Sequence, residues 1–237
     1  MHRVLLPALG ASVFLAGCHV YYDPPVRREV VTESKTVERG KTEMLRAEIA
    51  MGAGELRIEG GAQALFEGKF SSNVDEYRPD VRYDSTGFRG HLSVRQRSST
   101  SRLGNRIENR WEMKLGDGVP LDLNVTLGAG ESRLFLGSLT LRSAEVRLGA
   151  GRCEVDLRGI PRHSYELRLR GGVGEAVVYV PRDAGVEAEA AGGLGEIEVH
   201  GLRREGRAWR SANYSKTPYT IRLDVKGGIG AIRIVAG

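Results

Sequence analysis

One short phrase recurs along the chain and constrains its fold more than any other feature. It reads glycine, a small or aliphatic residue, glycine and usually glutamate, and it is set between stretches where apolar and polar residues alternate. It stands at Gly52-Ala53-Gly54-Glu55, Gly128-Ala129-Gly130-Glu131, Gly149-Ala150-Gly151-Arg152, Gly172-Val173-Gly174-Glu175, Gly193-Leu194-Gly195-Glu196 and Gly228-Ile229-Gly230-Ala231. With the second glycines at 54, 130, 151, 174, 195 and 230, the central copies repeat every 21 to 23 residues, and the outer gaps are 76 and 35. A fixed period of this length is a solenoid signal, and the longer gaps are places where extra chain is inserted.

The flanks of each phrase alternate with period 2, the pattern of half-buried strands. Leu121, Leu123, Val125 and Leu127 lead into one phrase, and Leu134 and Leu136 keep their parity beyond it. Val146 and Leu148 lead likewise into Cys153, Val155 and Leu157, and Tyr165, Leu167 and Leu169 into Ala176, Val178 and Val180. Ile221, Leu223 and Val225 lead into Ile232 and Ile234. The intervening residues are mostly Arg, Glu, Asp or Ser, so one face is core and the other is wet. The chain is 41% apolar but only 6% aromatic, with 32 glycines, which suits a core of small aliphatics and frequent corners rather than disorder. The glycines allow positive φ and remove side chains where successive coils approach, so a valine at Gly151 is expected to clash or to force an unfavourable backbone. The fold class expected is all-β: a single-domain β-solenoid, β-helix-like, of about 21-residue coils stacked roughly 4.8 Å apart, with an N-terminal β-rich capping or inserted region.

Several chemistries associated with glycine-rich turns are excluded. No amphipathic helix follows any phrase and no Gly-Lys-Ser/Thr occurs, so a phosphate cradle at a helix N-terminus has no support. Calcium-binding nonapeptide rolls need a nine-residue period and a following Asp, and neither is present. Glu55, Glu131, Glu175 and Glu196 would form a row in stacked coils; they read as a solvated edge, and no metal is assigned. His91, His163 and His200 are scattered singly, and there is no HExxH, paired CxxC or Gly-x-Ser-x-Gly. No catalytic residue and no cofactor are assigned, and the chain is read as a non-enzyme.

The N-terminus carries an address. Met1 to Arg3 are a short basic start, Val4 to Phe14 are apolar apart from Ser12, and Leu15-Ala16-Gly17-Cys18 follow. This is a secretory signal whose last four residues resemble the bacterial lipobox, which implies lipidation of the Cys18 thiol and cleavage before it. Acyl chains on Cys18 would anchor the protein without spanning the membrane, each buried methylene contributing about 0.8 kcal/mol. His19 follows, with no Asp there to suggest inner-membrane retention, so the lean is to the outer membrane, facing the periplasm or the surface. The organisation expected is therefore a signal over 1–17, anchor and flexible tether over 18–42, an N-terminal β region over 43–118 and the repeat solenoid over 119–237. Cys153 alternates with charged residues and reads as a small buried core side chain.

From Trp111 onward, Val119-Pro120-Leu121-Asp122-Leu123, the LGAGE at Leu127, the LGAG at Leu148, the GGVGE at Gly171, Val180-Pro181, the GGLGE at Gly192 and the GGIG at Gly227 resemble the bacterial toast-rack family. They also resemble the related C-terminal domain of LiaF-like envelope-response proteins and adhesin-like domains of unknown function. The resemblance covers about residues 43–237 and implies a β-solenoid that faces the outside of the cell; it supplies no catalytic residues. LiaF-like proteins act in sensing envelope stress and carry membrane helices, where this chain carries a lipobox.

The function expected is that of a membrane-anchored envelope lipoprotein displaying a non-catalytic interaction surface for adhesion, envelope structure or stress response, with an envelope protein or glycan as partner. The alternative is a glycan- or anionic-lipid-binding protein that uses the basic 202–218 loop, with Arg207, Trp209, Arg210 and Tyr214 as the contacts. Export argues against nucleic acid despite the formal charge of +5.

Overall fold

The computed structural model describes residues 29–97 and 107–237; the expected signal over 1–17, Cys18 and residues 19–28 lie outside them. The described residues form β1 (Val31–Val37), β2 (Met44–Glu59), β3 (Phe66–Ser72), β4 (Pro79–Thr86), β5 (Arg89–Gln96), β6 (Asn109–Leu115), β7 (Leu121–Phe135), β8 (Leu141–Asp156), β9 (Tyr165–Val180), β10 (Gly185–Leu194), β11 (Ile197–His200), β12 (Arg203–Glu205), β13 (Ala208–Arg210) and β14 (Thr220–Ala236).

The length of the repeat strands dictates the coil. Straight, the 15 residues of β7 would span about 50 Å. Yet β7 and β8 are parallel from Leu121↔Leu141, with a one-residue shift to Asp122↔Ser143 and an unbroken register from there to Phe135↔Asp156, and only residues 136–140 join the end of one to the start of the next. Five residues cannot return the chain over that distance, so each strand folds back at its Gly-x-Gly phrase into two legs with the aliphatics between them. The second glycine makes the corner: Gly54, Gly130, Gly151, Gly174, Gly195 and Gly230 all have φ between +123° and +138°. The corners also nest, because a Cβ on Gly151 would lie 2.0 Å from the Gly130 carbonyl oxygen. This is the expected β-solenoid, with Leu123, Val125, Leu127, Leu134 and their counterparts in a continuous core.

The coils do not stack in chain order. The sheet runs β1-β3-β6-β2-β7-β8-β9-β14-β10-β13-β12, with β11 also on β14. The last coil, β14, lies between β9 and the β10/β11 coil that precedes it in sequence. The 35-residue gap is thus a crossover. After β11 the chain makes the β12–β13 hairpin on the outer side of β10, then returns through residues 211–219. Ser211, buried, pins this return by accepting from Val186 N–H at 2.9 Å and donating to Ala184 O at 2.8 Å.

The packing under the corner changes along the stack. The residue before each phrase points inward beside the first inward residue after it. The pairs are Leu127 with Ser132, Leu148 with Cys153, Gly171 with Ala176, Gly227 with Ile232 and Gly192 with Ile197. One large side chain fills the corner from the first leg in β7 and β8 and from the second leg in β14 and β11, whereas in β2 both residues, Met51 and Leu56, are large and buried. In β9 both are small, and a cleft of about 20 Å³, lined by Leu148, Leu169, Gly171, Ala176, Gly227 and Ile232, remains there.

The β-rich region expected to cap or be inserted before the repeats has β3, β4, β5 and β6 inside the 76-residue gap, and they cap the first coil. β5 and β4 extend the first leg of β2; β6, β3 and β1 extend its second leg. Trp111 is fully buried here, edge-on to Phe70 at 5.4 Å. Gln96 and Asn109 close the first corner, Gln96 Oε1 accepting from Gly52 N–H at 3.0 Å and Asn109 Nδ2 donating to Ala53 O at 2.7 Å.

Two expectations are corrected. The tether does not extend to residue 42: Val31–Val37 are β1, fully paired to β3 from Val31↔Ser72 to Val37↔Phe66. The segment's polar composition hides a strand that lies on a sheet edge and needs no apolar face. Nor does residue 118/119 divide two structural units, since β2 pairs with β7 in register from Leu45↔Leu121 to Glu59↔Phe135 and shares its core.

Candidate interaction surface

The polar faces of the legs are laced with ion pairs set by strand geometry. Residues two apart on one strand share a face, so Arg46 meets Glu48, Arg57 meets Glu59, Arg133 meets Glu131, Arg147 meets Glu145 and Arg168 meets Glu166, at 2.6 to 3.0 Å. Arg170 reaches across strands to Asp224. Exposed pairs of this kind each contribute about 0–1 kcal/mol, and they make a mixed-charge wet face. The expected glutamate row is broken: the in-register column runs Glu55, Glu131, Arg152, Glu175, Ala231, Glu196, and Arg152 is salt-bridged to Glu175 at 3.3 Å. Among the described residues no three His, Cys, Asp or Glu gather as a metal site would require.

Cys153 is a core residue, as expected. It is fully buried beside Ser132, and burial pushes its thiol up to about 11 against a smaller lowering by the Ser132 hydroxyl. A thiol that ionises this reluctantly is a poor nucleophile. The three histidines of the described region stand apart: His91 near Glu48 and Asp84 on β5, His163 against Tyr219 in a turn, and His200 near Glu198 on β11.

The basic loop of the alternative reading is the β12–β13 hairpin with its return. Its four named residues do not converge on one unoccupied site. Arg210 donates from Nε and Nη2 to Glu187 Oε1, at 3.0 and 2.6 Å, and from Nη1 to Glu205 Oε2 at 3.1 Å, while its guanidinium covers the Tyr214 ring. Trp209 packs partly on the core and carries Arg204 over its other surface at 5.3 Å. Arg207 is exposed in the turn between the strands.

What sequence reasoning missed is a ridge along the corners. The middle residues of the six phrases are in register in the spatial order Ala53, Ala129, Ala150, Val173, Ile229, Leu194. They grow toward the C-terminal end of the stack, where Val173 is 54%, Ile229 54% and Leu194 69% exposed. The identities of these residues were visible in the repeats. Their adjacency was not, because β14 comes between β9 and β10 only in three dimensions.

The site is thus the outside of a β-solenoid, a mixed-charge face with an apolar ridge along its corners. Residues 26–179 match the model of the N-terminal domain of toast_rack, DUF2154, and the chain belongs to that family. The solved structure of a "putative cell adhesion protein" from Clostridium sporogenes is 28% identical, with a TM-score of 0.82, and the match covers 88% of this chain and 100% of that one. A "putative adhesin" from Bacteroides fragilis matches over 87% of this chain and 97% of that one at 14% identity, with a TM-score of 0.31, too loose a likeness to carry weight. No curated protein matches the chain. Among the described residues no helix is long and apolar enough to cross a membrane.

Proposed function

We propose that this chain is a membrane-anchored envelope lipoprotein whose β-solenoid is a non-catalytic interaction surface, used in adhesion, envelope structure or stress response. The single observation that carries the reading is the likeness, at 28% identity and a TM-score of 0.82, to a structure described as a "putative cell adhesion protein". The exposed Val173–Ile229–Leu194 ridge supports it, since apolar surface gathered in one place marks contact sites more often than scattered residues do. The anchor rests on Leu15-Ala16-Gly17-Cys18.

The test is in-cell cross-linking of a C-terminally tagged full chain, read by mass spectrometry, with Cys18→Ser as the unanchored control. A recurrent envelope protein, lost or altered in Cys18→Ser, is the expected result. Cross-links confined to glycan or lipid would replace this reading with the ligand-binding one centred on Arg207, Trp209, Arg210 and Tyr214. Full membrane retention of Cys18→Ser in detergent-free fractionation would overturn the anchor.

A further inference from the structure

The stack has two ends and two legs, hence four leg edges, and the chain adds strands to three of them. At the first coil β5 and β4 extend one leg, and β6, β3 and β1 the other. At the last coil β13 and β12 extend the first leg beyond β10. The second leg there ends at β11, which pairs only with β14 among the described residues.

The free side of β11 is chemically specific. Ile232 N–H donates to Glu196 O at 2.8 Å. In a parallel ladder this register turns the main-chain groups of Glu198 toward β14 and those of Ile197 and Val199 outward. Ile197 and Val199 also point their side chains to the core side, where Ile197 remains 37% exposed and Val199 half-buried. At the corner end of the same edge stands Leu194, and among the described residues no side chain is hydrogen-bonded to that corner as Gln96 and Asn109 are to the first one. On the solvent face Glu198 is shared by Arg233, at 2.6 Å, and His200, at 3.6 Å, whereas Glu196 makes no ion pair among the described residues.

We infer that β11 is a docking edge for one extended strand of a partner protein, with aliphatic residues facing Ile197 and Val199 and basic residues alternating beside Glu196 and Glu198. Main-chain bonding along a sheet edge supplies affinity and the alternate side chains supply selectivity. The shape of this end favours a lone strand over a second copy. The β12–β13 hairpin carries the first-leg sheet two strands past β10, so another solenoid end meets the hairpin first, while a single strand fits beside β11 opposite β13. This inference rests on the interaction-surface reading and names its site.

The test uses the full chain in detergent and a fluorescein-labelled seven-residue peptide alternating valine and lysine, with a valine–glutamate peptide as the charge control, read by fluorescence anisotropy. Val199→Pro is the decisive variant. Its N–H faces outward and bonds to no other strand, a position where proline is tolerated on an edge, so its melting temperature reports whether the fold survives. The expected result is saturable binding of the lysine peptide, at least tenfold weaker for Val199→Pro and for the glutamate peptide. Binding that Val199→Pro leaves unchanged, or no binding to the parent chain, overturns the inference. A concentration-dependent dimer in sedimentation, abolished by Val199→Pro, would assign the edge to a second copy and overturn it as well. In cells, protein cross-links that persist undiminished in Val199→Pro would refute the edge while leaving the interaction reading intact; the absence of any protein cross-link would refute that reading instead.

Discussion

Replacing Gly151 by alanine tests the nested-corner account directly. Gly151 has φ +123°, a region L-residues rarely occupy, and its new Cβ would sit 2.0 Å from Gly130 O, more than 1 Å inside ordinary contact. Holding a non-glycine residue at such a φ costs about 1–3 kcal/mol, and forcing β8 away from β7 adds an overpacking cost of about 1–3 kcal/mol. The expected loss of about 2–6 kcal/mol is a large part of a domain stability of about 5–15 kcal/mol and would lower the melting temperature by roughly 4–24 °C. Gly171→Ala is the matched control. Its φ is not in the left-handed region and its Cβ would find nothing closer than 3.9 Å, at Lys226 O, beside the cleft under the β9 corner. There the reduced entropy of the unfolded chain should stabilise the fold by about 0.4–1 kcal/mol. Thermal and urea unfolding followed by circular dichroism decide the matter. Equal melting of Gly151→Ala and the parent, or a loss in Gly171→Ala as large as in Gly151→Ala, would refute the reasoning.

Other outcomes follow from the same structure. Because Cys153 titrates near 11 when folded, above its unfolded value, its contribution is fully present below about pH 8.5 and is lost as pH rises toward 11; Cys153→Ala should flatten that part of a stability-versus-pH curve, and an unchanged slope would exclude the thiol. Native Cys153 should react with a thiol reagent only on the unfolding timescale, so rapid stoichiometric labelling would contradict its burial. Burial alone would raise Asp156, but the Arg158 side chain and backbone N–H hold its carboxyl below the usual range. Its contribution is therefore present above about pH 4 and lost as pH falls through the lowered value, and Asp156→Asn should cost about 1–2 kcal/mol at pH 7 and much less at pH 2. Cys18→Ser should release the protein from membranes while leaving the domain's melting temperature unchanged, which fractionation and calorimetry measure together.

What the sequence by itself determined is local. Side-chain parity along a strand has period 2 whatever the neighbours, so Leu121 to Leu127 and Ile221 to Val225 declared their buried faces, and the spacing of positive-φ glycines declared the coil. The order of the coils was decided only by tertiary structure, because every coil offers the same kind of pairing edge and local pattern does not choose between neighbours. Burial makes the choice. β14 brings Ile221, Leu223, Val225, Ile232 and Ile234, all buried, and takes an interior place covered on both sides. β10 and β11 bring Val186, Ala188, Ala190, Ile197 and Val199, which have less apolar area to hide, and take the end. That exchange sets Leu194 beside Ile229 on the ridge, leaves the outward main chain of β11 open, and moves the basic hairpin to the opposite leg, where Arg210 is held by Glu187. The same non-local rule placed Val31–Val37: its Val and Thr residues suit a strand, but with no sustained apolar alternation the segment shows no face to bury, and it is the free edge of β3 that gives it a partner.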